Sequence, residues 1–244
     1  MAKCDFLGKV FTSKNYGDFK VVEYLGSKNI KIVFLNTGYQ TTVAADTIRK
    51  GSVKDRLAPS VCGVGVVGEE VHSDKDGKPE YPYVVWRGMI QRCYSEGTQA
   101  RQPTYIGCTV AKPFHYYPTF KAWFLEQPYY DTFELDKDLL VERNTVYSPT
   151  TCTMLPAEIN SALANVSRFG CCSLIHYAKR KQCYELDLTQ SICGSKEYYK
   201  TYKEAFTAYK ISKEVQIKSL AEKWKSYISK EAYTALINYT LYVE

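Results

Sequence analysis

Hydrophobic residues change their period twice along this chain, and those changes divide it into segments that no single repeating architecture can accommodate. Near the N-terminus the pattern is short and alternating. Asp18–Leu25, Ile30–Leu35 and Tyr39–Val43 are rich in β-branched and aromatic residues, with turn residues at 26–29 and 36–38. Hairpins this short predict a small β-barrel over residues 1–58. Residues 59–80 are dense in glycine and polar residues and read as a linker. From Tyr83 the spacing lengthens: Val85, Trp86, Met89, Ile90 and Cys93 fall on one face of a helix. A strand at 104–110 and a helix at 119–124 follow, then a segment rich in carboxylates and a helix starting at Pro156. Residues 166–244 open with three strand-like runs, 171–177, 182–188 and 191–193. After Tyr202 the spacing of Ala205, Ala208, Tyr209, Val215, Leu220, Ala221 and Trp224 predicts one long helix. The sequence therefore reads as an α+β chain of three modules, 1–58, 81–165 and 166–244.

Several function classes are disfavoured by composition. No apolar run reaches the roughly 20 residues needed to span a bilayer, and Met1–Asp5 leads into no signal-peptide core, so a soluble, intracellular chain is expected. The nine cysteines include the adjacent pair Cys171 and Cys172 and suggest reduced thiols rather than a disulfide framework. Cys93, Cys108 and Cys152 share one module, but without a C-x-x-C pair they point to buried thiols and not to zinc. Gly63, Gly65 and Gly68 match G-x-G-x-x-G by spacing but lack the preceding strand and following long helix of a dinucleotide site.

Charge is segregated. Residues 1–67 carry a net +5, residues 68–165 a net −4 and residues 166–244 a net +5. Basic flanks around an acidic centre suit an enzyme that grips phosphates on either side of a metal-holding core. The candidate nucleic-acid contacts are Arg49, Lys50, Lys54 and Arg56 at the end of the first module. To these are added Arg87 and Arg92 on the outer face of the helix from Tyr83, and Lys179, Arg180 and Lys181 at a turn of the third module. A three-stranded sheet backed by a helix can enter a major groove with alternate side chains on the bases. The 22 tyrosines would also suit a protein partner of unknown identity.

The chemistry concentrates in Leu135–Asp138 and the run from Arg143 to Cys152. If Asp136 and Asp138 lie on a strand, their side chains share a face and Lys137 points away. Two hard oxygen donors so placed are half of a magnesium or manganese site. Ser148 followed by Pro149 predicts a helix start, because serine caps the free amides and proline suits the first helical position.

In their order, Trp86–Cys93, Leu135–Asp138, Tyr147–Cys152 and Ile159–Asn160 resemble the HNH-like, ββα-metal endonucleases of bacteriophages, free-standing enzymes of homing type. The third module, through Tyr202–Lys210, resembles the ethylene-response type of DNA-binding domain that such nucleases carry. The resemblance implies metal-dependent hydrolysis of a phosphodiester in double-stranded DNA, as an endonuclease or nickase, in the cytoplasm of an infected bacterial host. It makes Asp136 and Asp138 the ligands of Mg2+ or Mn2+, and adds Lys137, Arg143 and Asn144 to the catalytic set. Lys137 stands where the family has a histidine, and Thr151 where it has a helical asparagine. A lysine between two aspartates keeps its proton, so water activation would fall to the carboxylates and metal, with Lys137 or Arg143 stabilising charge on the phosphate. The same two substitutions describe a DNA-binding regulator or architectural protein derived from such a nuclease.

Overall fold

A computed structural model describes residues 6–70, 72–73, 76–164, 174–188 and 194–242. Cys171, Cys172 and the run expected at 191–193 lie outside the described residues. The architecture is α+β, in two compact units, 1–122 and 123–244. Among the described residues no helix is long and apolar enough to cross a membrane.

Unit 1 begins with an antiparallel meander in the order β1 (Val10–Ser13), β2 (Gly17–Tyr24), β3 (Ile30–Phe34) and β4 (Gln40–Val43). Phe19 pairs with Phe34 and Val21 with Ile32, so alternate side chains of both strands enter one core while Lys20 and Lys31 stay in water. Helix α1 (Ala45–Arg49) closes that core with Ala45 and Ile48, and Val53 adds to it. The barrel expected here is instead an open sheet: β1 and β4 are its two edges. One face is already covered by α1 and the segment through Val53, so closure of the sheet on itself would add little apolar burial.

The stretch expected as a linker forms a hairpin, β5 (Pro59–Val61) and β6 (Gly65–Val66). Gly65 is required by close approach, since a Cβ there would lie 3.0 Å from the ring of Trp86. Helix α2 (Tyr81–Tyr94) buries Trp86, Met89, Ile90 and Cys93, the face that their spacing predicts. The indole of Trp86 donates to the Phe114 carbonyl at 2.7 Å, satisfying the polar atom of a fully buried ring. Next come α3 (Glu96–Arg101), a single 3-10 turn (Pro103–Tyr105), β7 (Thr109–Val110), α4 (Lys112–His115) and α5 (Tyr117–Leu125). The strand expected over 104–110 is thus extended only at its end, because Pro103 and Gly107, the latter at φ 83°, break the run.

Unit 2 opens with β8 (Glu134–Asp136), β9 (Val146–Tyr147) and β10 (Thr153–Leu155), followed by α6 (Ala157–Ala164). Strands β8 and β10 are antiparallel, with Thr153 opposite Asp136 and Leu155 opposite Glu134. A three-stranded antiparallel sheet then runs β11 (Ile175–Ala178), β12 (Cys183–Asp187) and β13 (Lys196–Tyr199). Helix α7 (Tyr202–Trp224) packs on it through Ala205, Phe206 and Tyr209. Thr201 caps α7 in both directions, accepting from the Glu204 amide at 3.2 Å while Glu204 accepts from the Thr201 amide at 3.0 Å. Helix α8 (Lys230–Ile237) folds back on α7, and Glu214 of α7 accepts from Thr240 and from the Leu241 amide, each at 2.8 Å.

Candidate functional site

Strand β8 ends at Asp136, so Asp136 and Asp138 do not share a strand face as alternation predicts. The chain bends because one carboxylate oxygen of Asp136 turns back and accepts from the amides of Asp138 (2.9 Å) and Leu139 (2.8 Å). This is the local turn an aspartate forms when it competes with the strand ladder. Asp136 is 8 % exposed. Burial raises its carboxyl above the usual carboxylate range, further helped by the charge of Asp138, and the two amide hydrogen bonds and the charge of Lys137 only partly oppose this. Asp138 is its opposite: its side chain is 54 % exposed and pairs with the Lys137 ammonium at 2.5 Å.

Lys137 is buried at 7 %. Its ammonium reaches Asp138 at 2.5 Å and the Asn144 carbonyl at 3.4 Å, and lies 5.7 Å from the centre of the Tyr147 ring. Asn144 pins the loop that begins at Lys137. Its amide nitrogen donates to the carbonyls of Lys137 (2.6 Å) and Val146 (2.7 Å), and its oxygen accepts from the Val146 amide at 3.1 Å. Arg143, just before it, is exposed and held at φ 58°, a left-handed conformation uncommon for a side chain this long.

The helix expected from Ser148 is a single turn. Ser148 accepts from the amides of Thr150 and Thr151 at 3.3 and 3.1 Å, as a cap would. The Thr151 hydroxyl instead donates to the Val146 carbonyl at 2.7 Å, and Thr153 enters the ladder opposite Asp136. The ladder overrides the cap, and the order is β8, loop, β9, turn, β10 and α6. Cys152, buried beneath the turn, has its thiol pushed up to about 12 by desolvation, so it is a packed neutral group. Asn144 and Asn160, named in sequence only through the resemblance, take structural roles that reading did not give them: Asn144 pins the loop and the Asn160 amide donates to Glu134 at 2.6 Å. Part of the Asn144 contact is local, since its oxygen accepts from the amide two residues ahead, whereas the Glu134 partner of Asn160 is 26 residues away in sequence.

The candidate phosphate contacts fall in three places. In unit 1, Lys54 and Arg56 are exposed and alternate with buried Val53 and Asp55, so both face outward. Lys50 is exposed at the end of α1, while Arg49 pairs with Asp46 at 2.6 Å and Arg56 donates to the Glu69 carbonyl at 2.9 Å. On α2, Arg87 is exposed, but Arg92 is only half-exposed, its guanidinium 5.4 Å from the centre of the Tyr105 ring. In unit 2, Lys179, Arg180 and Lys181 are all exposed at the turn between β11 and β12. Lys181 sits 3.6 Å over the ring of Tyr198.

Among the described residues no cluster of three or more His, Cys, Asp or Glu side chains could hold a metal. Asp138 with the remaining oxygen of Asp136 is a donor set of the kind magnesium or manganese accepts, since these ions keep several waters and take one or two carboxylates. Compared with family models, curated proteins and solved structures, the chain has no match in any of the three.

Proposed function

We propose that this chain is a phage-type, HNH-like endonuclease or nickase that recognises double-stranded DNA and hydrolyses a phosphodiester with Mg2+ or Mn2+ in the host-cell cytoplasm. The supporting observation is the antiparallel β8–β10 pair running directly into α6, with Asp136 at the end of β8 and half-exposed Asp138 two residues beyond. Asp138 would hold the cation, and Asp136 would orient it. When bound, the cation would supply Lewis acidity and neutralise charge at the phosphodiester. Arg143, exposed at the loop surface, would meet a phosphate oxygen, and buried Lys137 would hold the Asp138 carboxylate in place. The exposed cations at 179–181 and at Lys50, Lys54 and Arg56 would hold the DNA backbone.

Incubation with supercoiled plasmid and Mn2+ tests this reading. Nicked circles are expected from the wild type, and Asp138→Asn should slow their appearance by about a hundredfold or more, on the scale of losing one charged group at a reacting phosphate. No nicking by the wild type with either cation would overturn it.

A second reading has its own support. The Lys137 ammonium already occupies Asp138 at 2.5 Å, and one Asp136 oxygen is committed to two amides, so the site is closed by its own contacts. A DNA-binding regulator or architectural protein would show this arrangement. It would bind duplex with strong salt dependence and leave it intact.

A further inference from the structure

Unit 2 contains a cavity of about 410 Å3 walled by Tyr129, Phe133, Trp224 and Tyr227. The four rings close on one another, with centroid separations of 5.2 Å for Tyr129 and Phe133, 5.9 Å for Phe133 and Trp224, 5.8 Å for Trp224 and Tyr227, and 5.5 Å for Tyr227 and Tyr129. Phe133 is buried and forms the back. Tyr129 and Tyr227 are each 46 % exposed and form the open rim. Tyr129 is held at φ 53°, a backbone state that an aromatic residue rarely adopts and that persists only when its surroundings enforce it. Its carbonyl accepts from the amides of Thr132 (3.0 Å) and Phe133 (2.9 Å), so this strained turn presents two of the four rings.

Glu158 fixes the third. Its carboxylate accepts from the Trp224 indole at 3.0 Å and from Lys223 at 2.6 Å, which orients the indole and balances the negative charge at the mouth. That balance selects the ligand class. A box of aromatic rings attracts an organic cation, but here a cation would meet the Lys223 ammonium. A planar heterocycle carrying a phosphate meets ring faces inside and two lysines outside: Lys223, paired with Glu158, and Lys225, 3.7 Å from Glu222, flank Trp224 in sequence, and both side chains are 57 % exposed.

We propose that this aromatic cavity receives one unstacked nucleobase of a bound DNA strand, with Lys223 and Lys225 on the adjoining phosphates. The assignment rests on the DNA-binding reading above. Stacking on aromatic side chains tolerates any base, and a base leaves the duplex most readily where it is unpaired. The cavity would thus favour DNA with a bulged or mispaired nucleotide.

The test compares full-length protein on a fully paired duplex, on the same duplex with one bulged 2-aminopurine, and on a short single strand carrying that base. Wild type should hold the bulged duplex about tenfold tighter than the paired one, the scale of one base stacked on an aromatic residue, with a change in 2-aminopurine emission. Tyr129→Ala and Tyr227→Ala, both at exposed positions, should erase the preference and leave affinity for the paired duplex unchanged. Tyr227→Phe should restore it. Equal wild-type affinity for the bulged and paired duplexes would overturn the assignment while leaving DNA binding intact. A preference that survives both alanine variants would also overturn it. An emission change with the single strand but no duplex binding would support the cavity and remove the duplex reading. Displacement of the single strand by a trimethyllysine peptide would overturn the base in favour of an organic cation.

Discussion

Asn144 and Asp136 do their work through backbone amides and carbonyls rather than through each other. Replacing Asn144 with alanine removes one hydrogen bond each from the Lys137 carbonyl and the Val146 amide in a partly buried loop, while the Val146 carbonyl keeps the Thr151 hydroxyl. We expect a loss of about 1–3 kcal/mol in urea unfolding, with unchanged stability as the contrary result. Asp136 gives a pH signature. Burial raises its carboxyl above the unfolded value, so the folded chain keeps that proton to higher pH than the unfolded chain. Between the two values the folded state binds more protons, so this group's contribution falls as pH rises, and the penalty is complete above the folded value. Asp136→Asn retains an oxygen for the two amides and removes the charge. Relative to this variant, the wild type should lose stability as pH climbs from about 4, near the free carboxyl value. A difference independent of pH would contradict the account.

Elements with a local signal are the ones that the sequence gives away. The start of α7 is legible in Thr201 and Glu204, spaced for a capping box, and Thr201→Ala should cost about 1 kcal/mol in thermal or urea melts. No change would mean that packing on the sheet alone sets that boundary. The buried face of α2 is legible from spacing because Trp86, Met89, Ile90 and Cys93 all point inward. Ser148 and Pro149 carry an equally good local signal and yet form only one turn, because Thr153 must reach the ladder opposite Asp136. In Leu135–Asp138 the stop at Asp136 is signalled only by the aspartate's tendency to turn onto its own backbone, which the strand-like alternation masks. That stop depends on a side chain turning onto amides two and three residues ahead. The aromatic cavity was invisible for a similar reason, since Tyr129 and Trp224 are far apart in sequence and meet only through the fold.

For the whole molecule, segregated charge is the feature most readily read from sequence, and Lys179, Arg180 and Lys181, exposed together at one turn, are the proposed phosphate contacts that it singles out. Replacing all three with alanine should reduce the slope of log affinity against log salt by up to about 2.7, the value for three neutralised phosphates. An unchanged slope would move the DNA contact elsewhere. The account depends most on Asp136 and Asp138 acting as one cation site, and Mn2+ bound per chain, counted by electron paramagnetic resonance with duplex DNA present, measures that directly. One tightly held Mn2+ in the wild type and none in Asp138→Asn is the expected result; the same Mn2+ count in both would contradict it.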